Sequence, residues 1–155
     1  MRHLRVSILC ALAMTLIACG GGGGATSSNV AGNWSANVND SKGAMFVQFN
    51  ALLIQGSSYQ IGVTNLTFSV SSTCFGAGTT ASSTFGVIVA PDGTPGAPSP
   101  DAFQLTLLSS QSNSNGVNQL VLQGTLSQNT ISGKWTGTGS GDGCAGSGSF
   151  KMFRN

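Results

Sequence analysis

The chain has 155 residues, and only ten are charged: six Lys or Arg against four Asp, a formal net charge of +2. Two of the cations, Arg2 and Arg5, stand at the extreme N-terminus, so from there on the balance is four against four. A neutral surface has no clustered Lys or Arg with which to gather phosphates, and this excludes nucleic acid as a partner.

In chain order, the first element is an address. Arg2, His3 and Arg5 make a short basic start, followed by "VSILCALAMTLIA" (Val6 to Ala18), thirteen residues without a charge. A membrane-spanning helix needs ~20 apolar residues, so this segment suits the apolar region of a secretory signal instead. It ends in "LIAC", with the small Ala18 immediately before Cys19. This stretch resembles the lipobox signal peptide of bacterial lipoproteins, a resemblance that covers residues 1–19. It implies diacylglyceryl transfer to the Cys19 thiol, cleavage before Cys19 and acylation of the new amino group. The partner so implied is a membrane, held through the lipid. The alternative is an ordinary signal peptide with an incidental cysteine. Cys10 lies within the segment that cleavage removes. Gly20, rather than aspartate, follows Cys19, and by the family's rule this implies the outer membrane if the host is Gram-negative.

Five glycines (Gly20 to Gly24) and "ATSSNV" follow, the composition of a flexible tether. About ten such residues reach roughly 15–20 Å, enough to hold a domain just off the lipid headgroups. The chain thus divides into a signal (1–18), a lipidated cysteine with its tether (19–30) and one domain (31–155). Removing residues 1–18 from 155 leaves 137, a length that suits a single core. Disorder goes with low hydrophobicity and high net charge. Here Phe, Val, Leu and Ile recur in organised segments, so the domain folds under a surface of hydroxyls and amides.

Those segments alternate with period two, the pattern of strands. Met45, Val47, Phe49, Ala51 and Leu53 share one face. A turn at "GSS" (Gly56 to Ser58) precedes Tyr59, Ile61 and Val63, then Leu66, Phe68 and Val70. The parity switches between Val63 and Leu66, so the "TN" between them is a two-residue hairpin or a bulge. "STFGVIVA" (Ser83 to Ala90) is a strand buried on both sides or one of undefined register. "PDGTPGAPSP" (Pro91 to Pro100) holds all four prolines and reads as a loop. Phe103, Leu105 and Leu107 alternate, as do Leu120, Leu122 and Leu126. Gln128-Asn129 turns into a strand with Ile131 and Trp135 on one face, and Phe150 and Met152 lie on the last strand. No stretch after the signal has a 3.6-residue apolar stripe.

The fold class is therefore all-β, an antiparallel up-and-down meander. Closing into a barrel abolishes its two edges, and closure requires an even strand number. A bulge at "TN" makes eight strands and a hairpin makes nine; eight is the count adopted, with a β-sandwich as the alternative. "GNW" (Gly32-Asn33-Trp34) on the first strand resembles the opening of the calycin barrels, the lipocalins and avidins. That resemblance implies a tryptophan packed across one end of the barrel. The other reading is that Trp34 is simply a core aromatic.

Beyond the signal there is no histidine, since the single one is His3, and no glutamate anywhere. Ser-His-Asp and Cys-His mechanisms lack their base, and a tetrahedral zinc shell lacks ligands. Asp40, Asp92, Asp101 and Asp142 each fall in a turn or loop, where aspartate is a structural residue. "GTGSGDGCAGSGS" (Gly137 to Ser149) has neither the Gly-Lys-Ser/Thr ending of a phosphate loop nor the spaced oxygens of a calcium loop. It reads as a long glycine-rich hairpin loop. These absences point to a non-catalytic domain without catalytic residues, metal or cofactor. With Cys10 cleaved and Cys19 lipidated, Cys74 and Cys144 remain, and in an exported, oxidising location they are expected to form a disulfide. Two function classes follow. A binding module takes a small apolar ligand inside the barrel, or a glycan on its surface. A structural or interaction component of the cell envelope takes a protein partner. Small residues such as Gly86, Gly124 and Gly133 are where an internal pocket would find room. An enzyme built on Asp, Lys, Tyr59 or hydroxyls is a distant third.

Overall fold

The computed structural model describes residues 28–56, 58–90, 92–110, 116–139 and 143–155. Cys19, the lipobox and most of the tether lie outside the described residues, as does Asp142. Eight strands follow in chain order: β1 (Gly32–Asp40), β2 (Met45–Gln55), β3 (Gln60–Val70), β4 (Thr80–Val89), β5 (Pro95–Ser110), β6 (Val117–Ser127), β7 (Thr130–Thr138) and β8 (Gly146–Arg154). Each pairs antiparallel with the next, and β8 pairs with β1 to close a barrel. The closing ladder runs from Trp34↔Arg154 to Asp40↔Gly148. No helix occurs among the described residues.

The parity switch in β3 is a bulge. Asn50 faces Thr67 and Leu52 faces Thr64 across the β2–β3 ladder, so Asn65 and Leu66 together oppose Ala51. Asn65 takes φ 52° there, a left-handed conformation that asparagine tolerates better than most residues. The extra residue moves Leu66 and Phe68 back to the core side and keeps the strand count at eight.

The proline-rich segment departs from its reading as a loop. Only residues 90–94 separate β4 from β5, and Pro95 and Pro98 pair with Val89 and Val87. The geometry explains the tolerance. The β5–β6 ladder begins only at Ala102↔Thr125, so the stretch from Pro95 to Pro100 has a partner on one side alone. A proline whose missing N–H faces no second strand costs the ladder nothing. β4 is likewise clearer than its sequence: Ser83, Phe85, Val87 and Val89 are buried, while Ile88 is exposed. The glycine-rich segment is also shorter as a loop than expected, because Gly146 to Ser149 already belong to β8.

Inside, the core is made of the alternating positions. Val30, Trp34, Phe49, Phe103, Leu105, Leu107, Leu120, Leu122, Ile131 and Met152 are all essentially inaccessible. Val30 belongs to this core although it falls in the stretch read as tether. Eight strands enclose a space just wide enough for side chains to fill. Gly124 and Gly133 leave no vacancy: a Cβ on Gly124 would meet the Ser132 carbonyl at 2.3 Å and the Phe150 ring at 2.9 Å. One on Gly133 would lie 2.0 Å from the Gln123 carbonyl. These glycines let neighbouring strands and the Phe150 ring approach. At Gly86 the Tyr59 ring takes the space, 3.5 Å from where a Cβ would be.

Both ends of the barrel are fastened. At one, Cys74 in the β3–β4 connection is bonded to Cys144 in the β7–β8 connection, with a Cα separation of 5.4 Å. The Phe46 ring stacks on Trp135 at 4.8 Å and meets Phe75 edge-on at 6.2 Å. Trp135 Nε1 donates to the Asn39 carbonyl at 2.7 Å. At the other end Trp34 is fully buried and its Nε1 donates to the Val30 carbonyl at 2.8 Å. The Arg154 guanidinium lies 4.9 Å above the Trp34 ring, donating to the carbonyls of Ala31 and Asn29.

Candidate functional site

Three of the four aspartates, and the Cys74–Cys144 pair, have structural partners among the described residues. The Asp40 carboxylate accepts the backbone N–H groups of Lys42 and Ala44, both at 2.8 Å, and so caps the β1–β2 turn. Asp92 accepts the Thr94 amide at 2.9 Å and the Thr94 hydroxyl at 2.6 Å in the β4–β5 turn. Those two bonds, the hydroxyl first, hold its carboxyl below the usual aspartate range. Asp101 lies inside β5 rather than in a loop, at φ 71°, and accepts the Ser28 hydroxyl. Cys74 and Cys144 are spent on their mutual bond, as expected from the sequence. Among the described residues no three His, Cys, Asp or Glu come together in a metal-binding group.

What the fold does assemble is a cavity of about 570 Å³ on the outer face of the β4–β7 wall. It arises from alternation. Where Phe103, Leu105 and Leu107 point inward, Gln104, Thr106 and Leu108 point outward, and β6 presents Gln119, Val121 and Gln123 in the same way. The ladders set these side chains in rows. Ser82, Thr106 and Val121 are neighbours across successive strands, with Thr136 next on β7. Thr84, Gln104 and Gln123 form the adjoining row, and Gln123 Nε2 donates to Gln104 Oε1 at 3.0 Å.

The roof of this trough comes from the β4–β5 arm. Across that ladder Phe85 faces Phe103 but Val87 faces Pro98, so residues 99–102 oppose the single Gly86. Gly86 and Asp101 both take positive φ, 80° and 71°; such a bulge bends a strand pair. Val87 and Val89 are buried, yet neither belongs to the main core cluster. Val89, Ala90 and Gly93 line the cavity together with the outward residues of β4–β7.

Among the described residues, no ionisable side chain lines this cavity. Its walls offer amide N–H₂ and carbonyl groups from four glutamines, and hydroxyls from serine and threonine that donate and accept alike. Val89, Leu108 and Val121 add apolar area. Such a surface can hold an uncharged, hydrogen-bonding molecule through these donors and acceptors. The sequence carried one sign of it: the polar face of these strands is written in Gln and Thr rather than Lys and Glu. Comparisons with protein-family models, curated proteins and solved structures found no match for this chain.

Proposed function

We propose that this protein is a lipid-anchored, non-catalytic binding module of the cell envelope, exported and tethered through Cys19. Its ligand is taken on the outside of the barrel, as an uncharged polyhydroxylated molecule such as a neutral glycan. The observation that carries this reading is the trough on β4–β7, whose described lining offers four glutamine amides and a set of hydroxyls and no ionisable group. The packed interior also supports an external ligand, since the positions of Gly124 and Gly133 are already filled. Export is supported by the "LIAC" lipobox at Leu16 to Cys19, and the Cys74–Cys144 bond fits an oxidising compartment.

The test has two arms. Cys19→Ala should abolish fatty-acid labelling and move the protein from the membrane to the soluble fraction; persistent labelling would remove the anchor from the reading. Neutral oligosaccharides titrated against the protein should shift the amide resonances of Gln104, Gln119, Gln123 and Thr136, while anionic sugars should not. Replacing Gln104 and Gln123 together by Leu should weaken binding at least tenfold, as expected for two lost hydrogen bonds of ~1 kcal/mol each. Shifts centred on Trp34 and the interior would place the ligand inside the barrel and overturn the assignment.

A further inference from the structure

One outward row of the trough is polar on four successive strands. Gln60 at the start of β3 pairs with Thr84, Thr84 with Gln104, and Gln104 with Gln123, and all four line the cavity. Neighbouring strands lie ~4.8 Å apart, so hydrogen-bonding side chains recur along the row at that interval. The row ends on β7 at Lys134, which is exposed and not part of the described lining. Within it, Thr84 Oγ1 is buried and has no hydrogen-bond partner among the described residues, whereas buried polar groups are ordinarily satisfied. A change of χ1 rotamer is enough to swing that oxygen round.

Beside this row the lining turns apolar. Val121 and Leu108 are diagonal neighbours across the β5–β6 ladder, whose pairs here are Thr106↔Val121 and Leu108↔Gln119. Val89 reaches the same cavity from the arm. A ligand that suits both features has flat apolar faces and a rim of hydrogen-bonding groups repeated at the strand interval. Amides and hydroxyls both donate and accept, so successive rim groups can differ in orientation.

We infer that the trough takes an extended, unbranched chain of neutral pyranoses with equatorial hydroxyls, a narrowing that rests on the glycan reading of this site. The chain lies across the strands at about one sugar per strand spacing. In such a sugar the C–H groups form the two ring faces and the hydroxyls form the rim. A β-linked chain is straight and advances per sugar by close to the strand spacing. The α-linked chain of the same sugar coils away from a straight row. An axial hydroxyl would stand on a ring face, against Val121 or Leu108, and lose its hydration without gaining a partner. No residue of the described lining is aromatic, so a single sugar is held weakly and affinity accumulates along the chain.

The intact chain, in a sugar-free detergent, is titrated with cellobiose, cellotetraose and cellohexaose, and with maltotetraose and β-linked mannotetraose for comparison. Affinity should rise roughly fivefold per added sugar, the factor contributed by one net hydrogen bond, up to the tetramer and level off beyond it. Cellotetraose should shift the side-chain amides of Gln60, Gln104 and Gln123 together. Maltotetraose, which coils, and mannotetraose, which carries an axial hydroxyl, should bind at least tenfold more weakly. Thr84→Val should weaken cellotetraose binding at least tenfold, as a site built to bond a hydroxyl does when its own partner is lost. The same variant should keep or raise the urea midpoint, because it removes a buried hydroxyl without stranding a partner. A purely structural hydroxyl would lower that midpoint. Equal or tighter binding of either comparison sugar, affinity independent of chain length, or a Thr84→Val variant that binds like the parent or unfolds earlier overturns this inference and leaves the glycan reading standing. No shift in the trough with any neutral sugar overturns both.

Discussion

Arg154 ties the end of β8 to the stretch that leads into β1 through a charge laid on an indole. Its guanidinium covers Trp34 and its nitrogens reach the Ala31 and Asn29 carbonyls, so one side chain satisfies backbone groups that precede β1. A lysine would keep the charge but lose the planar fork and the stacked geometry. Arg154→Lys is therefore expected to destabilise the protein by about 1.5–3 kcal/mol, the range for hydrogen bonds to charged groups, measured by urea unfolding. Asp92 offers a second prediction at this scale. Its bonds from Thr94 favour the ionised carboxylate, so the folded pKa lies below the unfolded one. The resulting stabilisation is fully present above the unfolded value and is lost as the pH falls through the folded one. An NMR titration should place the Asp92 midpoint below that of an unstructured aspartate, and Thr94→Val should bring it back up. Both residues were visible as types in the sequence, but not their partners: nothing local links Arg154 to Asn29, 125 positions away.

Among the elements, β6 and β7 meet at a position where glycine faces glycine. Gly124 pairs with Gly133, and a Cβ on Gly133 would meet the Gln123 carbonyl at 2.0 Å and the Gly124 Cα at 2.5 Å. Overpacking of this kind costs about 1–3 kcal/mol, because the obstacle is backbone and cannot rotate away. Gly133→Ala should lower the denaturation midpoint by that amount, whereas Thr125→Ala on the exposed face should stay within about 0.5 kcal/mol of the parent. A strand's period was legible throughout, since each residue chooses a face by parity alone; Ile131 and Trp135, or Phe150 and Met152, needed no more information. What parity does not carry is which ladder a strand lacks. The proline stretch was read as a loop because proline is excluded from strands with two neighbours, and only the structure reveals that Pro95 to Pro100 has one. The same blindness hid the trough, whose rows join residues of four strands and whose roof depends on Gly86 and Asp101 bending the arm.

For the whole molecule, closure was legible because antiparallel neighbours around a ring must be even in number, and the bulge at Asn65 settles eight. The barrel's hydrogen bonds join sequence neighbours everywhere except at β1–β8, so most of the ring would remain paired if that one ladder opened. The Cys74–Cys144 bond bears on this. It ties the connection after β3 to the connection before β8, across 70 residues of chain, and so restrains strands that the meander alone keeps far apart in sequence. In the chain-entropy view a loop of that length stabilises the folded state by roughly 4 kcal/mol. Both sulfur-bearing residues are also buried, Cys74 at 2% and Cys144 at 1% exposed, within the main core cluster. Reduction should therefore proceed slowly while the barrel is folded and quickly once it is opened by denaturant. The non-reduced, unfolded protein should show no reactive thiol from this pair, and reduction should lower the melting temperature by roughly 10–20 °C, from ~4 kcal/mol and the few degrees per kcal/mol expected at this size. Cys74→Ala with Cys144→Ala should reproduce that loss and become insensitive to reductant. An unchanged melting temperature in the double variant would mean that the barrel's ladders, rather than the covalent bond, hold this end together.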